Sequence, residues 1–346
     1  MAVVYVADQG SMICKKGDRL YVYRQQNLMR WFHTKDVVQL IIVGNVALST
    51  PTITYLLKNR IDTVFLTYYG KYKGRLVGEF GKNVMLRVNQ FDYLRNPDNR
   101  DLLANAFVRA KIANSLVLLQ KRLKRNKAQP LKDVLMKNQA ILELLLHSLL
   151  PKQALLGYEG IAAKNYFSAF PALIANPDFP FSGRNKRPPK DEVNALLSLC
   201  YTFLMNQVMC AAYLCGLDVY YGSLHDLDYG RQSLVLDLME EFRPLVDNLV
   251  ISLINKKEIR LEHFLYNVLP DEESADAYPA EPLLPVSLSK DGMRIVVTAF
   301  NKLINSKFTL KDPPGEWSLK DILTLQARKL AAHFQNKKEY TSFLWL

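Results

Sequence analysis

The stretch from Gly222 to Pro244 concentrates side chains able to hold a divalent cation. Gly222 and Gly230 mark a loop that delivers His225, and Ser233 then suits the start of a helix with the apolar stripe Leu234, Leu238, Phe242, Leu245 and Leu249. Asp237 and Glu240 are three apart, so they fall on neighbouring positions of one helix face, off the stripe's centre. Imidazole plus carboxylates is a suitable shell for Mg²⁺ or Mn²⁺, with positions left open for water or phosphate. The competing reading is a hydrogen-bonded histidine beside solvated carboxylates, and spacing alone leaves both standing.

Two further segments carry chemistry. In Gly157–Phe167, small residues at 160, 162 and 163 admit a helix or a ligand close to the backbone near Glu159, and Tyr166, seven residues on, projects from the same face. A tight helix contact with Glu159 at its edge accounts for the same pattern. In Arg184–Leu197 a loop bearing Arg184, Lys186 and Arg187 runs into an apolar helix whose first turn carries Asp191 and Glu192, which complement the helix dipole. The three basic residues are candidates for DNA phosphates; an ordinary solvated loop is the alternative. The chain has no G-x-x-x-x-G-K-[ST] phosphate loop, no G-x-S-x-G elbow and no H-E-x-x-H, which argues against P-loop hydrolysis, α/β-hydrolase chemistry and zincin proteolysis. His147, His263 and His333 are read as structural or surface residues.

The elements that must position these groups change character along the chain. Residues 1–90 read as a β domain, with strands at Val3–Val6, Arg19–Tyr23, Val37–Val43 and Thr63–Thr67 between Gly10, Gly17, Gly44 and Gly70, and one helix after Ser49-Thr50-Pro51. Residues 91–100 read as a linker. From 101 to 346 the period is helical, beginning with Leu102, Leu103, Ala106, Ala110, Ala113, Leu116 and Val117. The expected fold is therefore α+β: an N-terminal β-rich, β-sandwich-like domain followed by a larger all-α catalytic domain. Three segments are expected to be exposed: the basic run 121–127, the Pro-rich loop 176–190 and the acidic connector 270–285. No period repeats, which excludes solenoids.

With 346 residues, 49% apolar and 23% charged, the chain has the composition of a globular protein of two or three domains. Its charge is polarised. Residues 1–190 hold 30 basic and 12 acidic side chains, a balance of +18, whereas 191–346 hold 15 and 21, a balance of −6. Confined positive charge suits a polyanion such as DNA, since neutralising phosphates releases counterions; a solubility surface is the alternative. Cys14, Cys200, Cys210 and Cys215 are too few and too irregular for a disulfide framework or zinc ribbon. The first thirty residues carry Asp8, Lys15, Lys16, Asp18, Arg19, Arg24 and Arg30 in place of a signal peptide's apolar centre, and no stretch approaches eighteen uninterrupted apolar residues. A soluble, cytoplasmic protein with no membrane partner is expected.

Taken in order, these segments resemble the CRISPR-associated endonuclease/integrase of spacer acquisition, the "Cas one" family. The resemblance spans nearly the whole chain. It rests on Gly44-Asn45-Val46 with Ser49-Thr50, Phe65-Leu66 before Gly70-Lys71-Tyr72, Gly74–Val77, Gly157–Phe167, Arg187-Pro188-Pro189 to Leu197, Leu224-His225, Ser233–Pro244, Leu288–Arg294 and Gln326-Ala327. It implies a metal-dependent DNA enzyme that forms homodimers and assembles with a small "Cas two" protein on double-stranded spacer and repeat DNA. It also implies that Glu159, His225 and Glu240 ligate Mg²⁺ or Mn²⁺, with Asp237 as a supporting carboxylate. The reaction it implies is attack of a DNA 3′-hydroxyl on a repeat phosphodiester, or hydrolysis when water replaces the hydroxyl. Two rivals stand beside it: a general metal-dependent nuclease acting on branched DNA in repair, and a non-enzymatic DNA-binding scaffold whose three residues satisfy a polar core.

Overall fold

The computed structural model describes residues 2–59, 61–67, 72–76, 78, 83–124, 129–185, 188–268 and 284–346. The chain divides into two compact units, one of Met1–Phe80 with Asn267–Leu288 and one of Gly81–Tyr266 with Ser289–Leu346.

The first unit opens with strands β1 (Ala2–Val6), β2 (Ser11–Lys16), β3 (Arg19–Arg24), β4 (Asn27–His33), β5 (Val37–Val43) and β6 (Val46–Leu48). Helix α1 (Thr50–Lys58) and strands β7 (Asp62–Leu66) and β8 (Tyr72–Leu76) follow. They form two four-stranded sheets, ordered β1-β5-β7-β8 and β4-β3-β2-β6. Val4, Val6, Leu40 and Ile42 from one sheet share a core with Ile13, Leu20, Val22 and Val46 from the other, and Leu56 of α1 joins them. The sandwich-like N-terminal unit expected from the sequence is present. Its sheets are mixed, since β1 and β7 run parallel to β5 while β8 is antiparallel to β7. Gly10, Gly17 and Gly44 sit at φ 71, 55 and 74°, left-handed values that a side chain would strain.

The second unit contains α2 (Val84–Arg95), α3 (Pro97–Leu123), α4 (Gln129–His147), α5 (Lys152–Ser168), α6 (Phe170–Leu173), α7 (Glu192–Leu214), α8 (Ser233–Met239) and α9 (Arg243–Asn255). Strands β9 (Phe264–Val268) and β10 (Leu284–Leu288) flank residues 269–283, and α10 (Lys290–Asn305), a hairpin of β11 (Lys307–Lys311) and β12 (Pro314–Ser318), and α11 (Leu319–Phe334) complete the chain. Helices α3 and α7 are long and apolar enough to cross a membrane, but most of each is buried within the protein, as for central core helices.

Three expectations need correction. The linker at 91–100 is helical: α2 runs through Arg95, and Asn96-Pro97 is a cap, with Asn96 Oδ1 accepting from Asp98 N at 2.9 Å and Pro97 in the first turn of α3. The helical part is not all α, because the β11–β12 hairpin lies within it; its alternating, largely exposed residues carry little apolar signal. The helix expected from Ser233 onward is interrupted by a 3₁₀ turn at Glu240–Phe242, just before Pro244 enters the first turn of α9. Of the segments expected to be exposed, residues 125–128 and 269–283 lie outside the described residues, as do Gly70, Lys71 and Val77.

The closing segment Tyr340–Leu346 lies along α3. Asn114 Nδ2 donates to the Phe343 carbonyl at 3.0 Å, Trp345 N donates to Asn114 Oδ1 at 2.8 Å, and Ser342 Oγ donates to the Ala106 carbonyl at 3.1 Å. Glu241, fully buried in the 3₁₀ turn, accepts from Tyr340 Oη at 2.6 Å and Phe343 N at 2.8 Å.

Candidate active site

Asp237 organises the loop that carries His225. It is fully buried, and its carboxylate accepts the backbone N–H groups of Ser223, Leu224 and His225 as well as the Ser223 hydroxyl. The same carboxylate lies 2.7 Å from His225 Nδ1. A carboxylate on Nδ1 fixes the ring's orientation and favours the tautomer in which Nε2 could accept a metal ion. Ser233, expected to cap α8, instead donates to the Asp226 carbonyl at 2.8 Å and closes the loop.

The loop can approach α8 this closely because residue 222 is glycine. A Cβ there would lie 2.5 Å from Asp237 Oδ2, 2.7 Å from the Ser233 carbonyl carbon and 2.8 Å from Leu234 N. Two of those three atoms are backbone and do not yield. Gly222→Ala is therefore expected to lower stability by about 1–3 kcal/mol, the usual cost of overpacking, and to loosen His225. Urea denaturation tests this; an unchanged midpoint would show that the turn relaxes freely.

Glu159 from α5 and Glu240 from the 3₁₀ turn meet at one cation. The Lys111 ammonium, reaching from α3, hydrogen-bonds Glu159 Oε1 and lies 2.7 Å from Glu240 Oε2. Arg243 Nε donates to Glu240 Oε1 at 2.8 Å. Burial pushes the Glu240 carboxyl up, but Arg243 and Lys111 outweigh it and hold it at about 2. Burial works against the Lys111 charge, and Glu240 and Glu159 overcome it, so its pKa is raised. The donor set suits a hard divalent ion in its chemistry: two carboxylates, both now on the Lys111 ammonium, and an imidazole oriented by Asp237. As they stand, no three His, Cys, Asp or Glu groups among the described residues are close enough to hold a metal ion together.

Beside these groups lies a cavity of ≈ 680 Å³, lined by Glu159, His225, Glu240 and Lys111 and also by Tyr166, Tyr201, Asp247 and Arg184. Asp247, on α9 and 2% exposed, accepts the Tyr166 hydroxyl at 2.9 Å and the Tyr201 hydroxyl at 2.5 Å. Burial raises its carboxyl to about 6 despite those two donors. Burial and the adjacent Asp247 drive both tyrosines well above their usual range. The Arg243 guanidinium stacks over Tyr201 at 4.7 Å, which links this cluster to Glu240.

The sequence-derived candidates thus have different fates. Glu159, His225 and Glu240 line one cavity, and Asp237 supports it from behind. Tyr166 is on the cavity wall but buried against Asp247, with its hydroxyl committed there. Arg184 is not on an open loop: it donates to Asn194 Oδ1 at 2.7 Å and Ser198 Oγ at 3.1 Å and lies over Tyr201, pinning the loop to α7. Lys186 and Arg187 lie outside the described residues. Gly157 and Gly160 admit no close neighbour, for a Cβ at either would meet nothing within 4 Å; the small residue packed tightly is Ala162, whose carbonyl accepts from Asn138 Nδ2 at 3.0 Å. Gly160→Ala is accordingly expected to raise stability by about 0.5–1 kcal/mol through helix propensity, readable as a shift in thermal midpoint. Lys111, Arg243, Asp247, Tyr201 and the exposed Lys164 also line the cavity, although their spacing in the sequence does not mark them. Only Arg243, at i+3 from Glu240, carried a local signal.

The chain superposes on a casposase bound to an integration product with a TM-score of 0.82, at 23% identity and over 99% of this chain and 93% of that one. It matches a chain of a Cas6-RT-Cas1–Cas2 complex with a TM-score of 0.78 at 22% identity, over 99% of this chain and 36% of that one. In sequence it is 32% identical over 339 residues to a CRISPR-associated endonuclease Cas1 of Thermus thermophilus, which covers 96% of this chain and 94% of the relative. Residues 4–302 match the family CRISPR associated protein Cas1, and the chain belongs to that family.

Proposed function

We propose that this chain is a divalent-metal-dependent DNA integrase and endonuclease of CRISPR adaptation, joining the 3′-hydroxyl ends of a spacer to the CRISPR repeat. The observation that carries the reading is the convergence of Glu159 and Glu240 on one cation in the cavity that His225 also lines. The Thermus thermophilus relative's name supports endonuclease activity, and the casposase of the same fold was captured on the product of an integration reaction. The reaction class is transesterification: a new P–O bond forms to the attacking 3′-oxygen, the repeat strand's P–O bond breaks, and no nucleotide hydrolysis is needed. With water as the nucleophile the same chemistry is strand cleavage.

Glu159, Glu240 and His225 Nε2 would hold Mg²⁺ or Mn²⁺, which supplies charge stabilisation to the phosphate under attack and acidifies the attacking hydroxyl. Asp237 keeps the imidazole in one tautomer. Arg243 holds Glu240 ionised and oriented through Oε1, leaving Oε2 to the exchangeable Lys111 contact. Lys164 lines the cavity as an exposed cation suited to a DNA phosphate. The basic half of the chain supplies the sequence-independent part of duplex affinity. The working unit is a homodimer in the cytoplasm, assembled with a small Cas2 partner as in the complex whose chain shares this fold.

The deciding experiment is strand transfer on a plasmid carrying a repeat array, with labelled spacer duplex, with and without Cas2, in Mn²⁺, Mg²⁺ or chelator. Joined strands that require metal are expected. Shortened strands alone would identify a nuclease, and DNA binding in chelator with no product in any metal would identify a scaffold.

A further inference from the structure

Lys111 occupies the point at which Glu159 and Glu240 converge. Its ammonium touches both carboxylates, while its side chain keeps 20% of its surface exposed and so retains a route to solvent. Arg243, the other cation on Glu240, is differently placed: its guanidinium is stacked on Tyr201 and bonded through Nε. Together the two carboxylates and two cations sum to no net charge. Without Lys111, two adjacent acidic groups would face each other with only Arg243, bonded to Glu240, to offset them, a repulsive arrangement. With it, a divalent ion meets carboxylates that are already neutralised.

We propose that Lys111 is a built-in stand-in cation, holding Glu159 and Glu240 together in the metal-free protein and leaving them when a divalent ion binds. This rests on the reading of Glu159, His225 and Glu240 as metal ligands. Lysine suits the task because its charge is compact and rides on a flexible four-carbon stem, so it swings out without disturbing α3. Once displaced, the ammonium lies beside the cavity, where a DNA phosphate offers it a new partner. DNA therefore relieves the competition, and metal and DNA each tighten the binding of the other by the same factor. Lys111 is a positioning residue whose role is read in binding, independently of turnover.

The test is Mn²⁺ titration by calorimetry on the full chain, wild type against Lys111→Met, with and without a non-cleavable DNA duplex. Lys111→Met is expected to bind Mn²⁺ about tenfold more tightly than wild type in the absence of DNA, and to lose most of the tightening that DNA confers. It should also melt lower than wild type without metal and gain more from Mn²⁺. Affinity equal to or weaker than wild type overturns the proposal. Should Lys111→Met not fold, amine labelling of wild type read by mass spectrometry decides: Lys111 should be protected in metal-free protein and label several-fold faster in saturating Mn²⁺. Unchanged labelling also overturns it. The parent reading fails separately, by Mn²⁺ affinity in wild type that is absent or indifferent to Glu159→Gln and His225→Ala.

Discussion

Glu159→Gln is expected to slow metal-dependent strand joining by roughly a thousandfold, the several kcal/mol that a divalent ion contributes at a phosphoryl centre. Glutamine keeps the size and polarity of the side chain but removes the charge that a hard cation needs. Among the three proposed ligands Glu159 is the cleanest to change. It is 20% exposed and among the described residues pairs with Lys111, which remains bound to Glu240, whereas Glu240 is 4% exposed and also carries Arg243. The stability cost should accordingly stay near 1 kcal/mol, typical of a partly exposed ion pair. In chelator, DNA affinity and its salt dependence should be unchanged, since a carboxylate releases no counterions from phosphate. Initial rates on a labelled spacer duplex, with a urea melt of the same preparation, check both halves. A wild-type rate in Mn²⁺ would remove Glu159 from the chemistry.

The second large effect is on stability against pH. Burial lifts Glu241 from 4.5 to about 7 despite its hydrogen bonds from Tyr340, Phe343 and Gln326, and lifts Asp247 from 3.8 to about 6. Both carboxyls bind a proton more tightly in the folded than in the unfolded chain. The stability each contributes is fully present below its unfolded value, declines as pH rises and is gone above its folded value. Each shift corresponds to about 3 kcal/mol. Urea midpoints are therefore expected to fall between pH 4 and pH 7 and then level. Glu241→Gln should flatten the part of the slope between about 4.5 and 7, and Asp247→Asn the part between about 3.8 and 6. Glu240, held at about 2, acts in the opposite sense, its contribution being lost only as pH falls toward that value. A midpoint that rises from pH 5 to 7 in wild type would contradict this assignment.

How much of this was legible in the sequence depends on the length scale of each interaction. Strands β1, β3, β5 and β7 are runs of β-branched and aromatic residues, and the sequence marks them closely. Strands β2, β4, β6 and β8 escaped because Ser-Met-Ile-Cys-Lys-Lys and Tyr-Lys-Gly-Arg-Leu mix polar residues into half-exposed positions, and β4 is mostly exposed. Glu159, His225 and Glu240 became candidates through residue type and resemblance. Their gathering depends on α3, α5 and the 3₁₀ turn packing together, which no local pattern encodes. Lys111 illustrates the limit: within α3 it is one basic residue in an amphipathic run, and its meaning appears only when partners 48 residues along α5's side and at Glu240 close on it. Asp247 is similar, an acid in an apolar helix whose place is justified by hydroxyls from Tyr166 and Tyr201. Asp237 is legible as a neighbour of the proposed ligands; the three backbone amides it binds are hidden in the loop's conformation.

Two consecutive glutamates in the 3₁₀ turn face different tasks, Glu240 toward the cavity and Glu241 toward Tyr340 and Phe343. In any survey of substitutions scored by spacer capture in cells, both positions would be depleted, and a reader of that profile would assign both to the chemistry. An assay separating abundance from turnover would divide the two: loss at position 241 is expected in how much protein survives, and loss at its neighbour, a proposed metal ligand, in how fast each molecule works.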